Sequence, residues 1–341
     1  MTGAAAMHSA ADDAPVDRKA PLIDIQGLTV GFPQYGTTSL TALRRITFDI
    51  SRGEVVGLVG ESGSGKTMLA RSIMRLVPEP GRFEGGRVLF EGRDLASLAP
   101  EELRQLRGRE IAMIISNPRG ELDPLQTVGS QIGNVLRAHT SLNRSEIAAR
   151  VMELLRQVSI PAPERRVNAY PHELSGGMAQ RVVMAIALAC SPKLIISDDA
   201  TSGLDVTVQA QVLDLMRELV VARGTSLLFI TRDIGITAHF CDRVAVIYAG
   251  EIVEEAPRGE FFENPQHPYS ILLLSAFAHN ERLRRYWLGD PAAAQATRKP
   301  SAGCPFAVRC VRAQARCLTE APERRETKSR HNIKCHFPVE R

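Results

Sequence analysis

One stretch constrains this 341-residue chain more than any other: GLVGESGSGKT, residues 57–67. It completes GEVVGLVG, a continuous apolar run of the buried-strand type, and it precedes MLARSIMRL, whose apolar residues recur at helical spacing. Gly60, Gly65, Lys66 and Thr67 fit the pattern G-x-x-x-x-G-K-[ST]. Glycines at this spacing let backbone N–H groups turn inward onto phosphate oxygens, and the following helix start adds partial positive charge. The loop Gly60, Glu61, Ser62, Gly63, Ser64, Gly65 therefore forms the expected phosphate cradle. Lys66 reaches the β- and γ-phosphates, and the Thr67 hydroxyl is a Mg²⁺ ligand. A glycine- and serine-rich turn before a helix is the bland alternative; strand, spacing and the Lys-Thr pair together disfavour it.

The surroundings read as an α/β domain. LIDIQGLTV and ALRRITFDIS alternate as strands, and KLIISDD and TSLLFIT are further buried-strand runs. Helical patterns fill the interval from Leu95 to about Val158, SEIAARVMELLRQV among them, and VTVQAQVLDLMRELVVARG separates the two later strands. Strands alternating with helices predict a largely parallel sheet. The first 20 residues, small and polar, read as a disordered leader with no signal-peptide pattern. No apolar run reaches the ~18 residues needed to cross a bilayer, which predicts a soluble, cytosolic chain.

Beyond the loop, AYPHELSGGMAQRVVMAIALACSPKLIISDDATSGLDVT resembles the signature-to-Walker-B region of the ATP-binding cassette (ABC) ATPases. Ser175, Gly176, Gly177 and Gln180 match the signature, Asp198 closes the Walker B strand as a second Mg²⁺ residue, and Asp205 ends the D-loop. The match covers about residues 22–275. The phrases AYPHELSGGMAQR and NPQHPYSILLLSA and a Cys-bearing tail resemble the dipeptide/oligopeptide/nickel importers within that family. The resemblance implies a P-loop NTPase core with an antiparallel β subdomain and a helical subdomain over 21–275, and a small Cys-rich extension over 276–341. It also implies ATP as ligand, a peripheral position on the cytoplasmic face of the inner membrane, two permeases, an extracytoplasmic solute-binding protein and a second, different ATPase subunit. Two such cassettes pair head to tail, so each ATP lies between one P-loop and the other chain's signature. Phe32, or Tyr35 as the alternative, is the expected adenine-stacking ring.

Three catalytic positions depart from the family pattern. Asp199 stands where a Glu orients the attacking water, one methylene shorter. Arg232 replaces the switch histidine and cannot exchange a proton near neutral pH. Ser116 replaces the Q-loop glutamine. All three weaken the placement of water, so the chain's own site is expected to hold Mg-ATP and turn it over slowly. A soluble ABC ATPase of repair or translation type is the rival reading. The short Lys66–Ser175 interval and the single cassette argue against it, and a purely regulatory ATP-binding subunit is the third.

Six cysteines are unusual for a cytosolic chain. Cys190 and Cys241 sit in apolar stretches and read as core. Cys304, Cys310, Cys317 and Cys335 could hold an iron–sulfur cluster or Zn²⁺; their wide spacing leans toward a cluster, and the importer resemblance implies [4Fe-4S]. The net charge of +4 hides an asymmetry: residues 281–341 carry 14 Lys/Arg against 6 Asp/Glu, leaving 1–280 at −4. That basic tail is poor in aromatics, giving no stacking support for nucleic acid.

Overall fold

The computed structural model describes residues 20–34, 37–277, 302–328 and 330–339. The leader, Tyr35 and residues 278–301 lie outside the described residues. In chain order the elements are strands β1 (Ile23–Gln34), β2 (Thr37–Ile50) and β3 (Val55–Val59), helix α1 (Lys66–Ile73), and strands β4 (Arg82–Phe90) and β5 (Arg93–Asp94). Helix α2 (Pro100–Arg109) and strand β6 (Ile111–Ile114) lead into helices α3 (Pro118–Glu121), α4 (Val128–His139), α5 (Arg144–Gln157), α6 (Pro163–Arg166) and α7 (Gly176–Leu188). Then come β7 (Leu194–Asp198), α8 (Val206–Ala222), β8 (Ser226–Thr231), α9 (Ile234–Phe240), β9 (Arg243–Tyr248), β10 (Glu251–Pro257), α10 (Arg258–Glu263) and α11 (Pro268–Phe277). The C-terminal segment adds α12 (Ala315–Thr319), β11 (Arg325–Lys328) and β12 (His331–Ile333).

Two sheets form. The antiparallel one has the order β2-β1-β4-β5, and the larger one β11-β12-β10-β9-β3-β8-β7-β6. In the latter, β9, β3, β8, β7 and β6 run parallel, and their almost wholly buried sequences explain why they read as largely apolar runs. One apolar cluster lies between the sheets, from Ile25, Val30 and Phe48 through Leu69 to Leu228 and Ile230. A second joins the other face to α4, α5, α7 and α8 and contains Cys241, with half-buried Cys190 packed against it. The helical region is locally encoded: Asn143 accepts from the Ser145 and Glu146 N–H groups at 3.0 and 3.1 Å, while Glu146 accepts from the Asn143 N–H at 2.7 Å, fixing the start of α5.

The C-terminal extension does not stand apart. β12 pairs antiparallel with β10, Glu254 opposite Ile333, so the tail hairpin lengthens the main sheet by two strands. His331 and Glu254, both fully buried, meet across this seam at 2.8 Å. The short tail thus pairs with a preformed strand edge of the main sheet.

Candidate functional site

Three adjacent parallel strands build the site at their C-terminal ends. β3, β8 and β7 are neighbours, with Val59 beside Thr231 and Asp198 beside Ile230. The residues that follow each strand are therefore side by side: Gly60 after β3, Arg232 after β8 and Asp199 after β7. This edge is where open α/β sheets place ligands. A cavity of ≈ 480 Å³ opens there, lined by Ser62, Gly63, Gly65, Lys66, Thr67, Asp198, Asp199 and Arg232.

The loop has the shape its glycines allow. Gly65 has φ +111°, and a Cβ there would meet the Ala42 carbonyl at 3.1 Å and the Leu43 side chain at 3.0 Å. Behind the loop, the Gly250 N–H donates to the Ser64 carbonyl and the Arg44 N–H donates to the Gly250 carbonyl, both at 2.8 Å, tying the loop to β2. The Ser64 hydroxyl is buried and lacks a hydrogen-bond partner. Lys66 Nζ, buried, donates to the carbonyls of Gly60 at 2.7 Å and Glu61 at 2.8 Å. Burial pulls its pKa below the usual lysine range, opposed by Asp199 and Asp198. Burial raises the Asp198 carboxyl, opposed by a hydrogen bond from Thr67 and reinforced by Asp199. An open cradle of backbone, one buried ammonium and a Thr–Asp pair fit Mg-nucleotide: the loop and Lys66 would hold phosphates, and Thr67 and Asp198 the metal. Bound Mg²⁺ supplies neutralisation of phosphate charge.

The departures from the family pattern are also placed. Arg232 reaches Asp199 Oδ2 at 3.0 Å and donates to the Ser202 hydroxyl at 3.2 Å. Asp199 adopts φ +52°, a left-handed conformation that Asp tolerates better than most side chains. Ser116 does not reach the cavity. It follows β6, the outermost strand, one place beyond β7, and it is exposed.

The signature forms a separate surface. Ser175 caps the 13-residue α7, accepting from the Met178 N–H at 3.2 Å, so the first N–H groups and dipole of the helix face outward there. A Cβ on Gly177 would lie 2.8 Å from Val208 in α8, which makes glycine a packing requirement. Asp205 caps α8, accepting from the Val208 N–H at 3.0 Å. Gln180 is fully buried, its amide atoms without hydrogen-bond partners. Ser175, Gly176 and Gly177 are absent from the lining of the phosphate cavity, as are Phe32 and Asp205. The half-buried Phe32 packs with the inter-sheet cluster, where a Cβ on Gly81 would strike its ring. Its cross-strand partner Leu40 lines the cavity with Thr41, Ala42, Met68 and Ala249, residues no motif announced.

Cys304, Cys310, Cys317 and Cys335 line one small cavity of ≈ 20 Å³ with Phe306, Ala307 and Phe337. Burial pushes Cys310 up to about 11 and Cys335 up to about 12, and raises Cys304. The donor set suits a thiophilic metal. Among the described residues, however, no group of three or more His, Cys, Asp or Glu side chains is arranged to hold a metal ion.

Fold, loop and capped signature helix define a P-loop nucleotide-binding protein of the cassette type. Residues 43–202 match the ABC transporter family, and residues 253–317 match the oligopeptide/dipeptide transporter C-terminal region. The chain is 43% identical over 317 residues to a probable peptide ABC transporter ATP-binding protein of Sinorhizobium fredii, covering 92% of this chain and 94% of that one. It is 38% identical over 319 residues to the dipeptide transport ATP-binding protein DppD of Escherichia coli, covering 94% and 97%. A solved dimeric cassette in a post-hydrolysis state, bound to ADP and Pi, superposes with TM-score 0.62 at 27% identity, covering 69% of this chain and 98% of that one. The chain belongs to the ATP-binding proteins of the ABC transporter family. No helix among the described residues is long and apolar enough to cross a membrane.

Proposed function

We propose that this chain is one ATP-binding subunit of a peptide-type importer, peripheral on the cytoplasmic face of the inner membrane. It would work with two permeases, an extracytoplasmic solute-binding protein and a second, different ATPase. Relatives named for peptide and dipeptide transport, matched over nearly their whole length, support the transport reading. Gly60–Thr67 and Asp198 would bind Mg-ATP, with an adenine-stacking contribution from Phe32 on the β1–β2 side. Ser175, Gly176 and Gly177 would close on the partner's nucleotide, with Gln180 and Asp205 supporting that surface.

The observation that carries the finer reading is the pairing of Arg232 with Asp199. A permanent cation occupies the carboxylate that would otherwise orient water, and Ser116 lies outside the cavity. We therefore assign this chain's own site to nucleotide holding with slow turnover, and its signature to completing a competent site on the partner. In the assembled complex, Lys66→Ala should lower ATP turnover much less than the equivalent change in the partner ATPase. Equal losses would overturn the asymmetry, and no loss from either would return the chain to the soluble or purely regulatory readings.

The four cysteines are assigned to a [4Fe-4S] cluster, supported by their convergence on one cavity; zinc is the other candidate. Iron and sulfide analysis of anaerobically purified protein tests this. Stoichiometric zinc, or loss of no metal in Cys310→Ser, would overturn the cluster.

A further inference from the structure

The phosphate loop is also held from the cysteine segment. The Glu61 carboxylate receives both arms of the Arg309 guanidinium, each at 2.8 Å. The Glu61 N–H donates to Tyr269 Oη at 3.0 Å, and its carbonyl accepts from Lys66 Nζ at 2.8 Å. One loop residue is thus gripped through carboxylate, amide and carbonyl, and the last grip ends on the phosphate-binding ammonium. Arg309 is itself fixed. Its side chain is 15% exposed, and its guanidinium lies 5.6 Å from the ring centroid of Tyr248 and 5.8 Å from that of Phe306. Tyr248, Tyr269 and Phe306 pack mutually at 4.6 to 5.4 Å between centroids.

Position in the chain gives this contact its meaning. Arg309 closes the 3₁₀ turn that joins Cys304 to Cys310, where the Ala307 N–H donates to the Cys304 carbonyl at 3.0 Å and the Cys310 N–H donates to the Ala307 carbonyl at 3.2 Å. The guanidinium is thus tied to both cysteines through one short, hydrogen-bonded turn. A fork of two N–H···O bonds fixes the plane of a carboxylate as well as its place, which a lysine ammonium cannot do.

We propose that Arg309 is a positioning residue for nucleotide binding, holding Glu61 and the carbonyl that faces Lys66 in the phosphate-binding shape, so that the cysteine turn is part of the support of the nucleotide site. This rests on the ATP-binding reading of the loop. Glu61 is 42% exposed, so the pair is partly screened and its effect belongs at the low end of the range for coupled sites.

The test is titration of the full-length chain with a fluorescent ATP analogue and Mg²⁺, with thermal melting of each variant alongside. Arg309→Gln is expected to weaken binding about five- to tenfold, Arg309→Lys less, and the double variant Glu61→Gln/Arg309→Gln no more than the worse single one. Cys310→Ser should weaken binding when Arg309 is present and add nothing to Arg309→Gln. If Arg309→Gln melts too low to assay, Glu61→Gln alone carries the same comparison from the loop side. Wild-type affinity in Arg309→Gln or in Glu61→Gln, or additive losses in the double variant, would overturn the proposal. Additive losses for Cys310→Ser and Arg309→Gln would overturn the link to the cysteine turn. Failure of the wild-type chain to bind the analogue would instead overturn the ATP-binding reading.

Discussion

Arg232 Nη2 lies 3.0 Å from Asp199 Oδ2, and its Nε donates to the same oxygen at 3.1 Å. One carboxylate oxygen thus takes two contacts from a side chain that keeps its charge at every physiological pH. Arg232 is 56% exposed, so the pair is worth only about 0–1 kcal/mol. That suffices to choose where a small carboxylate points, though it contributes little to stability.

On the slow-turnover reading proposed above, turnover at this site should be recoverable. Arg232→His, Asp199→Glu and Ser116→Gln combined should raise hydrolysis by about tenfold or more, since a well-placed general base contributes 10²–10⁴-fold. The measurement is ATP turnover of the assembled complex with the partner's phosphate-loop lysine disabled. An unchanged rate would overturn the assignment of slow turnover to these three positions.

Gly177 is fixed by packing. The 2.8 Å approach to Val208 leaves no room for a methyl group, so Gly177→Ala should cost about 1–3 kcal/mol and displace the start of α7. Chemical denaturation reads the first effect and turnover at the partner's site the second. Val208→Ala in the same chain should restore both.

Arg243 anchors the base of the parallel sheet. Its side chain is 5% exposed and contacts Glu54 at 2.8 Å and Glu255 at 3.5 Å. Removing it with Arg243→Met leaves Glu54 with Arg330 at 3.4 Å and Glu255 with Arg324 as their remaining cations, so the expected loss is at the low end of about 3–5 kcal/mol. Burial works to raise the Glu54 carboxyl, but Arg243, with the Ser51 N–H and Arg330, outweighs it and the net shift is downward from 4.5. A carboxyl with a folded pKa below its unfolded value stabilises above the unfolded pKa and loses that contribution as pH falls through the folded one. Melting temperature should therefore drop below about pH 4.5, and less steeply in Glu54→Gln.

Leu40 and Phe32 separate two views of the adenine side. Leu40→Ala should weaken binding of the fluorescent ATP analogue with little change in melting temperature, because Leu40 is 53% exposed on the cavity wall. Phe32→Ala should weaken binding as well, on the stacking role proposed, and as a half-buried ring should also cost stability, about 3–5 kcal/mol at most. Unchanged affinity in Phe32→Ala would overturn the stacking role.

What could be read in advance was local. The phosphate loop, the Ser175 cap and the end of β7 at Asp198 each depend on residues within a few positions, so spacing alone locates them. Phe32 is absent from the cavity lining while its cross-strand partner Leu40 is part of it, a placement that follows from the bulged β1–β2 register and that spacing does not reveal. Arg309 and Glu61 are separated by 248 positions and are joined only through tertiary packing. Likewise, RETK carries no apolar alternation, so its pairing could not be inferred.

That hairpin governs how the whole sheet meets solvent. β10 would end the sheet with a mostly buried, hydrogen-bond-hungry edge, IVEEA among its residues. β12 covers it, and β11, exposed along its full length as Arg-Glu-Thr-Lys, becomes the rim. Charged rims resist strand addition by other chains. A chain cut short before Arg325 would therefore lose more than one thiol: it would expose an adhesive flank, and aggregation rather than a metal deficit would be its first symptom.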